Sequence, residues 1–406
     1  MTHTPSPRAL PYTVWWLTLC QALLVSGNIV LITITPLIGQ QIAPSDGLAT
    51  LPVAIQMLGL TAAALPAGWL TARFGRRRTF VIGNLTGMAG IGLCALSVTA
   101  HHFVGFNAGT FLIGTSIGTG MLYRFAAVDA APLPQRDRAL SMVMAGGVLA
   151  AFFGPWLAVH TQGVSETPFL GSLAGLAGLY LVALLIIARV PLINPVKPGS
   201  LRQGRSWRVL LGQPVLASAI VAGLLGYSLM TLIMTATPLA MTHASMNIEH
   251  VANVIRWHVL AMFAPSFITG RLIQQCGHTT MILLGSLLLA LALLCAWWAP
   301  ASWAFYTGLI LLGLGWNFTF VTASAWLTTT YRPEEAPRVQ ALNDCLVFGG
   351  STLASLLAGP LSAELGWQWL NMGVLPVCVI LILVVARTAW QQRTRSDQAP
   401  LDTGPH

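Results

Sequence analysis

Two pairs of side chains draw attention by type and spacing. Met230 and Met234 stand four residues apart, as do His258 and Met262. On a helix such residues share a face, so each pair offers two donors to one side. Thioethers select Cu(I) and imidazole is less selective; a hard ion such as Mg²⁺ or Ca²⁺ requires carboxylates, which this set lacks. A second group is charged. Arg124, Asp129, Asp344 and Arg256 fall in strongly apolar stretches, where a charge is expensive and points to proton coupling or gating, with Arg124 as the counter-charge. A third group, Tyr123, Tyr227, Trp257, Trp316 and Asn317, offers ring faces and an amide to a heteroaromatic molecule. The plainer readings are methionines filling gaps between helices, tryptophans at an interface and helix-end charges reaching water.

The elements that hold these groups follow from composition. The 406 residues are 55% hydrophobic and 8% charged, with mean hydropathy +0.73. An ordinary soluble domain is about 25% charged, so soluble enzymes, disordered chains and nucleic-acid modules are excluded. The apolar stretches are continuous rather than alternating, which excludes an outer-membrane barrel. Twelve stretches are long enough to span a bilayer: residues 12–38, 48–72, 79–98, 103–128, 139–160, 168–190, 213–241, 250–275, 279–298, 302–330, 340–364 and 368–388. Residues 1–11 form a tail, 12–190 a six-helix lobe, 191–212 a basic linker, 213–388 a second six-helix lobe and 389–406 a second tail. The first apolar run lacks a small-residue cleavage site and reads as a spanning helix. The six cysteines form no C-x-x-C pair and predict no disulfide framework.

Of the twenty basic residues, eighteen fall in tails, loops and span ends on one side of this arrangement. The positive-inside rule makes that side, with both termini, cytoplasmic. The net charge of +9 therefore sets topology, and nucleic acid is not a partner; the lipid bilayer is. The soft residues occupy matched depths. Met234 and His258 lie 7 and 8 residues from the outer ends of their spans, and Met230 and Met262 lie 11 and 12. If the two helices face each other, the four side chains form one cluster. Met241, His243, Met246 and His250 repeat the theme in an outer loop, where solvation is the simpler reading.

The halves resemble each other. Gly68–Gly75 and Gly270–Gly277 close corresponding spans, and Gly146-Gly147 with Gly154-Pro155 matches Gly349-Gly350 with Gly359-Pro360. A parallel repeat of about 200 residues is the plan of a two-lobed transporter. The segment GWLTARFGRRR, with Gly68, Arg73, Gly75, Arg76 and Arg77, resembles the gating-loop signature of the major facilitator superfamily. Ala72 stands where that signature has an aspartate, so the gating network must differ. The resemblance covers nearly the whole chain. It implies an all-α membrane fold of two pseudo-symmetric six-helix lobes, working by alternating access.

M-x-x-x-M in span 7 followed by H-x-x-x-M in span 8 is similar to the CcoA-like branch of that superfamily. This likeness implies uptake of copper, as Cu(I), across a bacterial inner membrane to supply cytochrome oxidase assembly. Copper would be substrate, bound by Met230, Met234, His258 and Met262, with no tightly bound cofactor. Bacterial riboflavin transporters look similar in sequence, and a riboflavin-like importer using the aromatic group is the alternative. A membrane sensor would need an output domain, and an enzyme would need a nucleophile–base–acid set at one depth; the sequence offers neither.

Overall fold

The computed structural model describes residues 9–45, 48–49, 51–161, 164–165, 167–194, 204–246 and 248–397. Arg8, Lys197 and Arg202 of the basic set lie outside the described residues, as do the rest of residues 1–8 and residues 398–406. The first half contains α1 (Tyr12–Ile42), α2 (Leu51–Phe74), α3 (Arg76–Thr99), α4 (Phe103–Gly120), α5 (Tyr123–Ala130), α6 (Arg136–Ala145), α7 (Gly147–Thr161) and α8 (Leu170–Arg189). A short α9 (Trp207–Leu211) ends the linker. The second half contains α10 (Pro214–His243), α11 (Ile248–Phe263), α12 (Ser266–Cys276), α13 (His278–Cys295), α14 (Ser302–Trp316), α15 (Thr322–Leu327) and α16 (Ala336–Asp397).

There are more helices than crossings because several crossings are broken. α4 and α5 form one span interrupted at Met121-Leu122, and α6 and α7 form another, interrupted at Gly146. α11 and α12 meet at a 43° bend, where Pro265 has no N–H to continue the helical ladder. α14 passes into α15 through a π-helical turn, Asn317–Val321. Helix α16 would be roughly 90 Å long if straight, about three times the apolar thickness of a bilayer. It breaks at Gly366, with φ 73° and ψ 166°, a conformation open to glycine and strained for other residues. Ser218 of α10 hydrogen-bonds Thr388 at 2.7 Å, while Gly223, five residues on, packs near Asn343 and Val347. Both ends of α16 therefore lie beside the start of α10, so the chain reverses at Gly366. The twelve spans expected from hydropathy are present.

Helix pairs approach closely where glycine removes the side chain. A Cβ on Gly114 of α4 would stand 2.1 Å from the Gln56 carbonyl oxygen of α2, and one on Gly59 of α2 would stand 2.3 Å from that of Phe111. The same repeat governs contacts between the halves. Gly68 of α2 abuts Ala341 and Pro337 of α16, and Gly270 of α12 abuts Arg138 and Asp137 of α6. Gly147 of α7 packs on the Phe263 ring of α11, and Gly349 of α16 lies by Thr61 of α2. Thr61 and Phe263, like Gly147 and Gly349, are 202 residues apart. The internal repeat is thus a repeat of packing geometry.

One end of the bundle gathers the arginine-rich turns and is called the basic end below. Arg205 of the linker binds Glu335 through its backbone N–H at 2.7 Å and its guanidinium at 2.6 Å, and the Arg338 guanidinium donates to the Arg205 carbonyl. The start of the linker is held as well: the Asn194 side chain accepts from the Arg76 N–H at 3.0 Å.

Replacing Gly114 by Leu is expected to force α2 and α4 apart and destabilise the protein by about 1–3 kcal/mol. The same change at Gly92, which has nothing within 4 Å of its Cβ position, is expected to be neutral. Thermal unfolding of the two variants in detergent checks both.

Candidate functional site

An ion pair joins the halves in the interior. Arg124 of α5 meets Asp344 of α16 at 2.5 Å, and the two side chains are 1% and 2% exposed. The remaining geometry fixes the guanidinium: it donates to the Met121 carbonyl at 2.6 Å and lies over the rings of Phe125 and Phe320, 4.4 and 5.1 Å from their centroids. Asn343 donates to the same Asp344 oxygen at 2.9 Å. Asp344 Oδ2 and Arg124 Nε have no partner.

Aromatic rings surround the pair. Tyr227 of α10 makes edge contacts with Trp316, Phe320 and Phe348 at centroid distances of 5.5, 4.9 and 5.6 Å. Trp316 stacks on Phe320 at 5.1 Å and meets Phe263 edge-on at 5.7 Å. Trp316 is buried, and its indole N–H finds no acceptor. The cluster therefore offers ring faces, two unused donors and one unused acceptor in a buried setting. Such groups are costly to leave unmatched and suit an aromatic ligand with a polar edge.

Asn317 supports this cluster from the helix breaks. Its amide nitrogen donates to the Met262 carbonyl and the Ser266 hydroxyl, each at 2.6 Å, and its oxygen accepts from Thr269 at 2.7 Å. It bridges the π-helical turn to the bend between α11 and α12. π-turns recur at functional sites, and this one sets the position of Trp316.

The structure redistributes the charged candidates. Arg124 was expected to balance Asp129 as well as Asp344, but Asp129 binds Arg76 instead, at 2.5 Å. The cause is position. Asp129 lies near the end of α5, level with the buried Arg76 that opens α3. Arg76 also donates to Gln340 of α16 at 3.1 Å, and Gln340 donates to the Tyr331 hydroxyl at 2.6 Å. Asp129 thus holds the motif arginine where Ala72 has no carboxylate. Arg256 does not enter the interior: it is exposed on α11 and bonds Asn253 at 3.0 Å. Trp257 is 53% exposed and also points away from the cluster. Tyr123 is buried but packs on Phe80 at 4.7 Å, inside the first half. Of the aromatic candidates, Tyr227, Trp316 and Asn317 are brought together.

The soft set is divided by packing. α10, with Met230 and Met234, lies chiefly along α16, whereas α11 packs on α14. His258 is fully buried and turns toward α14, its Nδ1 2.8 Å from the Leu309 carbonyl. That bond makes Nδ1 the donor and leaves Nε2 as a neutral lone pair with no partner. Met230 and Met262 are buried and Met234 half-buried. Among the described residues, no group of three or more His, Cys, Asp or Glu is placed to hold a metal ion.

Phe320 and Phe348 were missed in the sequence. The signal was available, since they lie four residues after Trp316 and Asp344 and so share their helix faces. The halves also meet by links that no motif marks. Ser141 donates to the Ser266 carbonyl at 2.6 Å, Gln274 donates to the Pro134 carbonyl at 2.6 Å, and His278 lies 3.3 Å from Asp137. These links, with Arg76–Gln340, join the halves toward the basic end.

Arg124→Ala or Asp344→Ala leaves a lone buried charge and is expected to cost about 3–5 kcal/mol. The joint change Arg124→Met with Asp344→Leu is expected to recover most of that loss. Thermal unfolding of all three variants measures it.

Comparison with known proteins bears on these features. Residues 17–265 and 251–403 match the Major Facilitator Superfamily. The chain is 38% identical over 371 residues to the riboflavin transporter RfnT of Brucella anthropi, covering 91% of this chain and 93% of the relative. It is 30% identical to the uncharacterized MFS-type transporter YddS of Bacillus subtilis, covering 87% and 85%. Among solved structures it resembles the human organic anion transporter MFSD10, with TM-score 0.74, 14% identity and coverage of 92% and 98%. It resembles FucP in the outward conformation equally well, with TM-score 0.74, 15% identity and coverage of 92% and 97%. With twelve spans, a two-fold internal repeat and these likenesses over most of its length, the chain is a multi-pass membrane protein that belongs to the Major Facilitator Superfamily of transporters.

Proposed function

We propose that the protein imports riboflavin or a closely similar heteroaromatic molecule across a bacterial inner membrane. The observation that carries this is the cluster of Tyr227, Trp316, Phe320 and Phe348 around Arg124–Asp344. A flavin ring has wide faces for stacking and an edge that reads carbonyl, N–H, carbonyl. Two donors and one acceptor are its complement, and Arg124 Nε, Trp316 Nε1 and Asp344 Oδ2 are the atoms without partners. The 38% identity to a riboflavin transporter supports the same substrate class. On this reading the basic end is cytoplasmic, as the positive-inside rule requires, with both termini on that side. The lobes at residues 12–190 and 213–388 rock about the site. Asp344 is the coupling carboxylate, since it binds an arginine of the other half, and Asp129 is the gating carboxylate, since it holds Arg76, whose bond to Gln340 joins the halves.

Copper uptake is the second reading. The unpartnered Nε2 of His258 favours it; the division of the soft set between two packing surfaces does not. The test is uptake of labelled riboflavin and labelled copper, side by side, in cells lacking their own importers. Riboflavin uptake is expected, reduced about tenfold by Tyr227→Ala and by Trp316→Phe, with membrane levels of the protein unchanged and His258→Ala without effect. Copper uptake that disappears in His258→Ala, with no riboflavin signal, transfers the function to Met230, Met234, His258 and Met262.

A further inference from the structure

The turn between α2 and α3 carries charge that the protein does not neutralise. Of its four arginines, Arg76 is spent on Asp129. Arg73 lies over the rings of Trp69 and Phe74, at 5.7 and 5.6 Å. Arg77 donates one N–H to the Val190 carbonyl at 2.7 Å, and Arg78 is exposed. Among the described residues, Arg73, Arg77 and Arg78 form no ion pair with a carboxylate. Where the family signature has an acid, Ala72 adds none.

A cavity of about 550 Å³ opens directly beside them. Arg77 and Arg78 stand in its wall with Phe74, Val81, Ile82 and Ala188. α3 and α8 pack together here. Further from the basic end along their outer faces, Leu85 and Leu185 are 48% and 47% exposed. The feature thus has two unneutralised guanidinium groups at the depth of the interface and an apolar seam running from them into the bilayer. Half-exposed Trp69 beside it is a side chain that favours the headgroup layer.

Both parts restrict the occupant. A free inorganic anion matches the arginines and leaves the apolar wall empty. A zwitterionic lipid fills the wall and brings its own cation to the arginines. An amphiphile whose headgroup has net negative charge satisfies both. We infer that this corner of the first half is a binding site for an anionic phospholipid, with its phosphate on Arg77 and Arg78 and its acyl chain in the seam between α3 and α8. The site lies on the outer surface of the first half, apart from the aromatic cluster, so it stands or falls independently of the transported molecule.

Native mass spectrometry of the full-length protein tests this, with phosphatidylglycerol and phosphatidylcholine of identical acyl chains added in graded amounts. The unsubstituted protein is expected to retain phosphatidylglycerol at least about tenfold better. Arg78→Gln is expected to lower that retention about fivefold, and Arg77→Gln with Arg78→Gln to abolish the preference. Arg271→Gln with Arg332→Gln removes the same charge from the other half and is expected to leave retention within about twofold. Equal retention of the two lipids overturns the inference. So does an equal loss in the Arg271/Arg332 control, which would make the preference a matter of net charge. Arg78 makes no described hydrogen bond, so its single variant keeps the test decisive if loss of the Arg77–Val190 bond impairs folding.

Discussion

The ion pair between Arg124 and Asp344 is the interaction on which the interior depends. It is contributed by opposite halves and is almost wholly removed from water. In a medium of low polarity, attraction between such charges is strong, but each ion alone is far less stable than in water. Separating the halves therefore requires a replacement partner for each charge, which can be water, a proton on the carboxylate or polar atoms of a bound molecule. The aromatic rings around the pair sharpen this requirement. Phe125 and Phe320 cover the guanidinium and keep water from serving as the easy substitute.

Symmetry explains how the pair is held, and its breaking explains why it is single. Contacts at Gly68 and Gly270, and at Gly147 and Gly349, repeat across the two interfaces between the halves. The position matching Arg124 in the second half is Trp326, and that matching Asp344 in the first is Met142, each offset by 202 residues. One of two equivalent places thus became ionic and the other did not. At the basic end the same comparison sets Arg76 against His278. Arg76 is bound within its own half by Asp129, whereas His278 reaches Asp137 in the other half.

The irregular backbone collects beside this centre. The bend at Ala264-Pro265, the π-helical turn at Asn317 and the break at Met121-Leu122 all lie within a few residues of the cluster. Broken helices expose carbonyl groups that an intact helix would satisfy internally. Here side chains take over: Asn317 binds the Met262 carbonyl and Arg124 binds the Met121 carbonyl. The residues that shape the site are thus the ones that repair the spans on either side of it.

Much of this was written in the sequence. Spans, their number, the repeat and the one-sided arginines follow from local composition, because a bilayer requires continuous apolar helices and charge outside them. A reversal between the spans 340–364 and 368–388 followed as well, since two consecutive apolar spans require one; its seat at Gly366 is a structural finding. Pairing did not follow. Nothing local distinguishes Asp129 from Asp344 as the partner of Arg124, or tells that Trp257 is exposed and Trp316 buried. Those choices depend on how each helix is rotated about its axis and on which neighbour it meets. Rotation and neighbour are set by glycine contacts far apart in the chain. The sequence by itself determined the fold and the kinds of chemistry on offer. Only the tertiary structure decided which side chains meet, because one residue along a helix, a rotation of about 100° about its axis, separates exposed Trp257 from buried His258.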